Sequence, residues 1–223
     1  MSCARPSVGR FLFCLLLCGL FLVPTARAHH PKSKKVRQMV DRAVRYLSQN
    51  HSRQRITDQP GAVALIGLAL LKSGQPATLP KIVEAVKVIE GPRLFAPDNY
   101  NAAVVIIFLC ELGQKKHQPL IRRLVKKMID RQRPDGSWSY RNYLVGDTSQ
   151  TQYAAQAIWY AMNRGMEKLV PRKTVANMAN WLLRTQDKTG SFGYHPRDPK
   201  SFTRLDQSRT LTSPTNIQTS PLD

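Results

Sequence analysis

The chain has 223 residues, with 34 Lys+Arg against 14 Asp+Glu and a formal charge of +20 at pH 7. That length suffices for one domain with a real core, while three of the four cysteines (Cys3, Cys14, Cys18) fall in the first 28 residues and leave Cys110 alone, which excludes a disulfide scaffold. The charge fits a nucleic acid, an anionic surface or an acidic partner, but basic residues spread over nearly every polar helix face without a nucleic-acid motif, so no specific nucleic-acid binding is expected and a solvated basic surface is the simpler reading.

The N-terminus reads as an export signal. Arg5 and Arg10 precede the apolar run Phe11 to Val23, and Ala26-Arg27-Ala28 offers an A-x-A cleavage site. The run is shorter than the roughly twenty residues of a membrane span. Residues 1–28 are therefore expected to be a signal peptide, and the mature chain to start near His29, in the periplasm or secreted. A membrane anchor is the alternative. Lipidation ranks below both, because Leu17 before Cys18 is too bulky for a good lipobox. Loss of Arg5, Arg10 and Arg27 would lower the charge by three.

Seven helical patterns follow between residues 29 and 195. The first is an amphipathic outer helix, with Val36, Met39, Val40, Ala43, Val44 and Leu47 on one buried stripe. Next, Ala62 to Leu71 is apolar on all sides, headed by Asp58 and Pro60 and closed by Gly74. A helix apolar all round must be surrounded by others. The alternation then repeats. An amphipathic helix uses Ile82, Val83, Val86 and Ile89, and an apolar one runs between Asp98 and Gly113. A third amphipathic helix uses Leu120, Ile121, Leu124, Val125, Met128 and Ile129, and a third inner helix runs between Asp147 and Gly165. A fourth outer helix uses Val175, Met178, Ala179, Leu182 and Leu183. Cys110, inside an apolar run, reads as a buried small hydrophobe. Residues 196–223 are rich in Ser, Thr and Pro and read as a disordered polar tail.

The heads Asp58, Asp98 and Asp147 are separated by 40 and 49 residues. Helix pairs repeated at this period mean a solenoid or a ring of helices. The aspartates are most simply helix caps, worth about 1 kcal/mol each.

Two stretches end their helices alike: Gln132-Arg133-Pro134-Asp135-Gly136-Ser137-Trp138 and Gln186-Asp187-Lys188-Thr189-Gly190-Ser191-Phe192. Gly136 and Gly190 permit positive φ after the helix. Trp138 or Phe192 is expected to pack over the helix end, and Gln132 or Gln186 to bond backbone groups left unpaired there. These turns, with the inner helix DTSQTQYAAQAIW after the first, resemble the squalene cyclase and prenyltransferase repeat family from about Leu120 to Tyr194. The resemblance implies an all-α fold of α/α toroid type. About seven helices would make an incomplete ring, a partial or truncated member. A partner completing the ring, or an open scaffold gripping a partner, would then cover the unpaired inner faces.

The resemblance also implies two chemistries, and neither set of residues is visible. The cyclases draw their initiating proton from a run of closely spaced aspartates, whereas Asp147 is followed by Thr148, Ser149 and Gln150. The prenyltransferases hold zinc through Asp, Cys and His, whereas Cys110 has no Asp or His at matching spacing and His117 lies across a Gly turn. No metal site and no cofactor are expected. Asp147 is the one candidate acid. Tyr140, Tyr143, Tyr153 and Trp159 are the candidate ligand-binding residues, with Tyr140 to Tyr153 forming a mouth at one end of the ring. The expectation is an exported, non-catalytic or vestigial binding or structural module, taking an isoprenoid or other apolar ligand or a partner. The alternative is a terpenoid cyclase-like enzyme acting on an isoprenoid lipid.

Overall fold

A computed structural model describes residues 30, 32–49, 59–91, 98–140, 143, 145–187 and 189–194. The signal segment 1–28, Asp58, His195 and the tail 196–223 lie outside the described residues. The chain divides into two units, Met1–Ala43 and Val44–Asp223. The described residues hold seven α-helices: α1 Lys34–Gln49, α2 Pro60–Lys72, α3 Pro80–Glu90, α4 Asn99–Leu112, α5 Gln118–Asp130, α6 Thr148–Ala161 and α7 Arg172–Thr185. Among these residues there is no sheet; an isolated antiparallel bridge pairs Gln186 with Phe192. The all-α reading and all seven expected helices are present.

The second unit is organised around α4, in which every residue from Ala102 to Cys110 is buried. It packs against both α2 and α6, the other two inner helices. Outer helix α3 covers α2, and outer helix α5 rests on α4 and α6. The close approach of α2 to α4 depends on small residues. A Cβ at Gly67 would fall 2.6 Å from the Phe108 ring, so Phe108, fully buried, occupies the space a side chain there would need. Burial pushes the Cys110 thiol up to about 11, against the pull of the Arg164 guanidinium. It is therefore protonated and apolar in effect. Gly74, Gly113 and Gly165, with φ of 87°, 70° and 78°, end the three inner helices as expected.

The outer helices follow their patterns unevenly. Helix α5 buries Ile121, Leu124, Val125 and Met128. In α3 Ile82, Ala85, Val86 and Ile89 are buried, but Val83 faces outward at the edge of the stripe. Helix α7 follows its expected face in part: Val175 and Met178 pack half-buried against the core and Leu182 is half-buried, while Ala179 and Leu183 are exposed and the fully buried positions are Thr174, Trp181 and Thr185. The stripe of α1 departs most, because none of its residues is fully buried. Val44 and Leu47, which belong to the second unit, are half-buried against its core.

The turn after α5 holds α7 directly. The Gln132 side-chain amide donates to Gly136 O at 3.0 Å and to Thr174 O, in the first turn of α7, at 2.9 Å. Gly136 has φ +95°, and a Cβ there would lie 2.1 Å from Asn177 O. Arg184 donates to Asp135 O at 2.7 Å. Helix α7 is thus seated on the turn that follows α5, through the backbone of Thr174 and Asn177 and the side chain of Arg184. Trp138 is fully buried. Its Nε1–H donates to Met128 O at 2.8 Å, which satisfies a carbonyl in the last turn of α5.

The second turn repeats the backbone frame of the first. Gln186 Nε2 donates to Gly190 O at 2.8 Å, as Gln132 does to Gly136 O. Asp187 N donates to Ser191 O and Gly190 N to Asp187 O, matching Arg133 N to Ser137 O and Gly136 N to Arg133 O. The aromatics differ. Phe192 is 45% exposed and does not pack away as its counterpart does. Trp138 is covered because α6 follows it and offers Thr151, whose Oγ1 accepts from Trp138 N at 3.0 Å. Among the described residues no helix follows Phe192.

A buried histidine ties α3 to the turn before α5. His117 is 1% exposed, with Nδ1 3.2 Å from Glu90 Oε1 and Nε2 3.2 Å from Gln114 Oε1. Burial pushes the imidazole below its ordinary 6.5, although Glu90 pulls the other way. The unfolded chain then takes up this proton at higher pH than the folded one. The stability contributed by neutral His117 is present above its unfolded value and is lost as the pH falls through it.

Two outcomes follow. Melting followed by calorimetry should show stability declining as the pH falls below about 6.5, and His117→Gln should flatten that limb. Gly190→Ala should cost about 1 kcal/mol, the left-handed penalty alone. Gly136→Ala should cost at least about twice as much, because its methyl group also strikes backbone of α7. Equal losses in urea unfolding would contradict the seating of α7 on this turn.

Candidate ligand-binding end

The N-terminal ends of the inner helices meet at one end of the second unit, and each is capped by a polar side chain. Asp98 is the N-cap of α4 and accepts from Asn101 N at 2.8 Å. Its other oxygen accepts from Asn101 Nδ2 at 2.8 Å. That second bond orients the Asn101 carboxamide, whose Oδ1 accepts from Gly61 N at 2.8 Å in the first turn of α2. The expected head of α2, Asp58, is not at the cap position. Gln59 stands there and makes no side-chain cap bond, because Pro60 supplies no N–H and Gly61 finds its acceptor on the neighbouring helix.

Asp147 is the N-cap of α6, as expected. It is fully buried and accepts from Gln150 N at 2.8 Å and from Ser149 Oγ at 2.5 Å. Its own N–H donates to Trp138 O at 2.9 Å, which fixes the loop between the aromatic turn and the helix. The Tyr100 hydroxyl is hydrogen-bonded to Ser149, so α4 and α6 are joined through the cap itself.

Four of the five tyrosines at this end form a chain of ring contacts. Tyr100 packs edge-on against Tyr153 with centroids 4.8 Å apart, and Tyr140 lies 6.0 Å from Tyr100 and 5.6 Å from Tyr143. Tyr140 and Tyr143 are exposed and Tyr153 is half-buried. The fifth, Tyr194, is also exposed. Hydrogen bonding with Tyr140 raises its phenol above the ordinary 10.0, with the nearby Asp147 charge adding to the rise and Ser149 opposing it. The strand of chain carrying Tyr194 is held by α6: Thr148 N donates to Tyr194 O at 3.3 Å and Thr148 Oγ1 to Gly193 O at 2.6 Å.

Three of the four expected ligand-binding residues, Tyr140, Tyr143 and Tyr153, are therefore brought together. Trp159 is not among them. It lies about 9 Å further along the α6 axis, exposed and edge-on to Tyr160 at 5.1 Å. That end is charged: Lys72 Nζ sits 2.8 Å from Glu111 Oε2 and 5.8 Å from the centre of the Tyr160 ring. Tyr100 and Tyr194 were missed as site residues. The signal for Tyr194 is present in the repeat, since Tyr140 follows Trp138 by two positions and Tyr194 follows Phe192 by two. The equivalent tyrosines of the two turns meet each other.

The geometry offers a rim of phenol rings and hydroxyls above a buried carboxylate. Such a surface takes apolar groups on the ring faces and a polar end on the hydroxyls. Among the described residues no group of three or more His, Cys, Asp or Glu side chains gathers at metal-binding distance.

Asp147→Ala should cost about 2 kcal/mol in urea unfolding, because a buried N–H and a hydroxyl lose their acceptor. Tyr100→Phe, which removes one hydroxyl from the same network, should cost about half of that. The opposite ranking would show that Asp147 is not the cap that organises this end. No protein-family model, no curated protein and no solved structure matches this chain.

Proposed function

We propose that the chain is an exported, non-catalytic binding or structural module of squalene cyclase/prenyltransferase type, with inner and outer helices following an open arc of a toroid. The alternating helices and the twice-repeated Gln–Gly–aromatic turn support this reading. The observation that carries it is the state of Asp147. A general acid must touch what it protonates, and this side chain is fully buried beneath the tyrosines, engaged in capping α6. The tyrosine rim is the binding surface. It receives an isoprenoid or similar apolar chain on the faces of Tyr140 and Tyr143 and a polar end group at the hydroxyls.

The test has two parts. Purified protein incubated with squalene and with farnesyl diphosphate is expected to return both unchanged by product analysis. Farnesol titrated into the protein is expected to perturb tyrosine ring resonances, and Tyr140→Ala with Tyr143→Ala to weaken that binding about tenfold, the loss of one good aromatic contact. Turnover that disappears in Asp147→Asn would replace this reading with a terpenoid cyclase-like enzyme.

A further inference from the structure

Helix α1 keeps its polar and apolar residues on opposite sides, and much of the apolar side is exposed. At 100° per residue, the residues from Tyr46 round to Val44 span an arc of about 160°. Met39, Val40 and Tyr46 are 54%, 42% and 66% exposed. Ala43, between them on the wheel, is exposed as well. The rest of the circumference carries Lys34, Lys35, Arg37, Arg42 and Arg45 against Asp41 alone, all exposed. Lys35 and Arg42 border the arc beside Tyr46 and Met39, and Arg37 borders it beside Val44.

We propose that α1 lies flat on an anionic lipid surface, with Met39, Val40, Ala43 and Tyr46 entering the acyl boundary and the bordering cations reaching the headgroups. The combination of a wide apolar arc, a basic polar face and little net hydrophobicity is that of an interfacial helix. Lys and Arg at the edges lay their stems along the apolar zone while their charges stay at the headgroups. No described helix is long and apolar enough to cross a membrane, so contact is along the surface. Charge selects the occupant. A second copy would bring another chain of +20 and five more cations to the same face, whereas an anionic leaflet attracts each of them. The inference is independent of the tyrosine rim.

Co-flotation of the full chain with vesicles tests it. Binding is expected to be at least about tenfold stronger to vesicles of phosphatidylcholine with phosphatidylglycerol than to phosphatidylcholine alone. The excess should vanish when salt is raised from about 0.1 M to about 1 M, where the screening length falls to about 3 Å. Met39→Glu with Tyr46→Glu should abolish it, and so should Lys35→Glu with Arg42→Glu, which leaves the apolar arc intact. All four residues are exposed, so circular dichroism should report unchanged helicity. An excess that survives both pairs would assign membrane binding elsewhere in the chain. No excess at low salt would overturn the proposal, and so would a concentration-dependent dimer in light scattering that Met39→Glu dissociates.

Discussion

A single carboxamide, that of Gln132, determines how the last repeat is attached. One of its N–H groups closes the turn on Gly136 and the other engages the first turn of α7. The turn that the first bond closes has positive φ at Gly136, and a side chain at that position would strike the backbone of α7. Trp138 anchors the same turn from the other side, its indole bonded to the last turn of α5 and its backbone N–H to Thr151 of α6. Three helices are therefore positioned by a segment of seven residues. Apolar burial supplies the driving force for packing, but these directed bonds select one register.

The inner helices use a second device of this kind. Their N-terminal N–H groups are satisfied in relay: Asp98 holds Asn101, and Asn101 caps α2. Tyr100 reaches Ser149, which in turn bonds Asp147. The ends of α2, α4 and α6 are thus joined by hydrogen bonds where their apolar sides are already in contact. The rim of tyrosines stands on this polar layer and inherits its rigidity, which suits a surface that must keep one shape for a ligand.

Much of this was legible in the sequence because two periodicities are strong. The contrast between helices apolar all round and helices with one stripe separated inner from outer, and the glycines marked where inner helices stop. The turn motif was legible because its Gln, Gly and aromatic each have a local task. What could not be read depends on partners distant in sequence. The cap of α2 is supplied by Asn101, forty positions away, so the nearest aspartate was a misleading signal. Helix α7 buries Trp181 and not Leu183, and its seat is the turn that follows α5, which no hydrophobic pattern within α7 records. Phe192 matches Trp138 in sequence, but burial requires a following helix, and that is a property of the neighbour. Trp159 shares a helix with Tyr153 yet lies near the other end, a separation that a list of aromatics does not show.

The two turns also differ in how many of their surroundings hold them. The first is clasped between α5, α6 and α7; the second has the same internal bonds with its aromatic half in water. A segment held by fewer packed neighbours opens more readily than one held by many. Helix α7 and the turn after it are thus less enclosed than α4, in which every residue from Ala102 to Cys110 is buried. Because Tyr194 rides on that turn and is tied to α6 through Thr148, the rim joins two segments far apart in sequence. A ligand bridging the two would tighten that junction, and its affinity would carry the cost of any ordering it imposed.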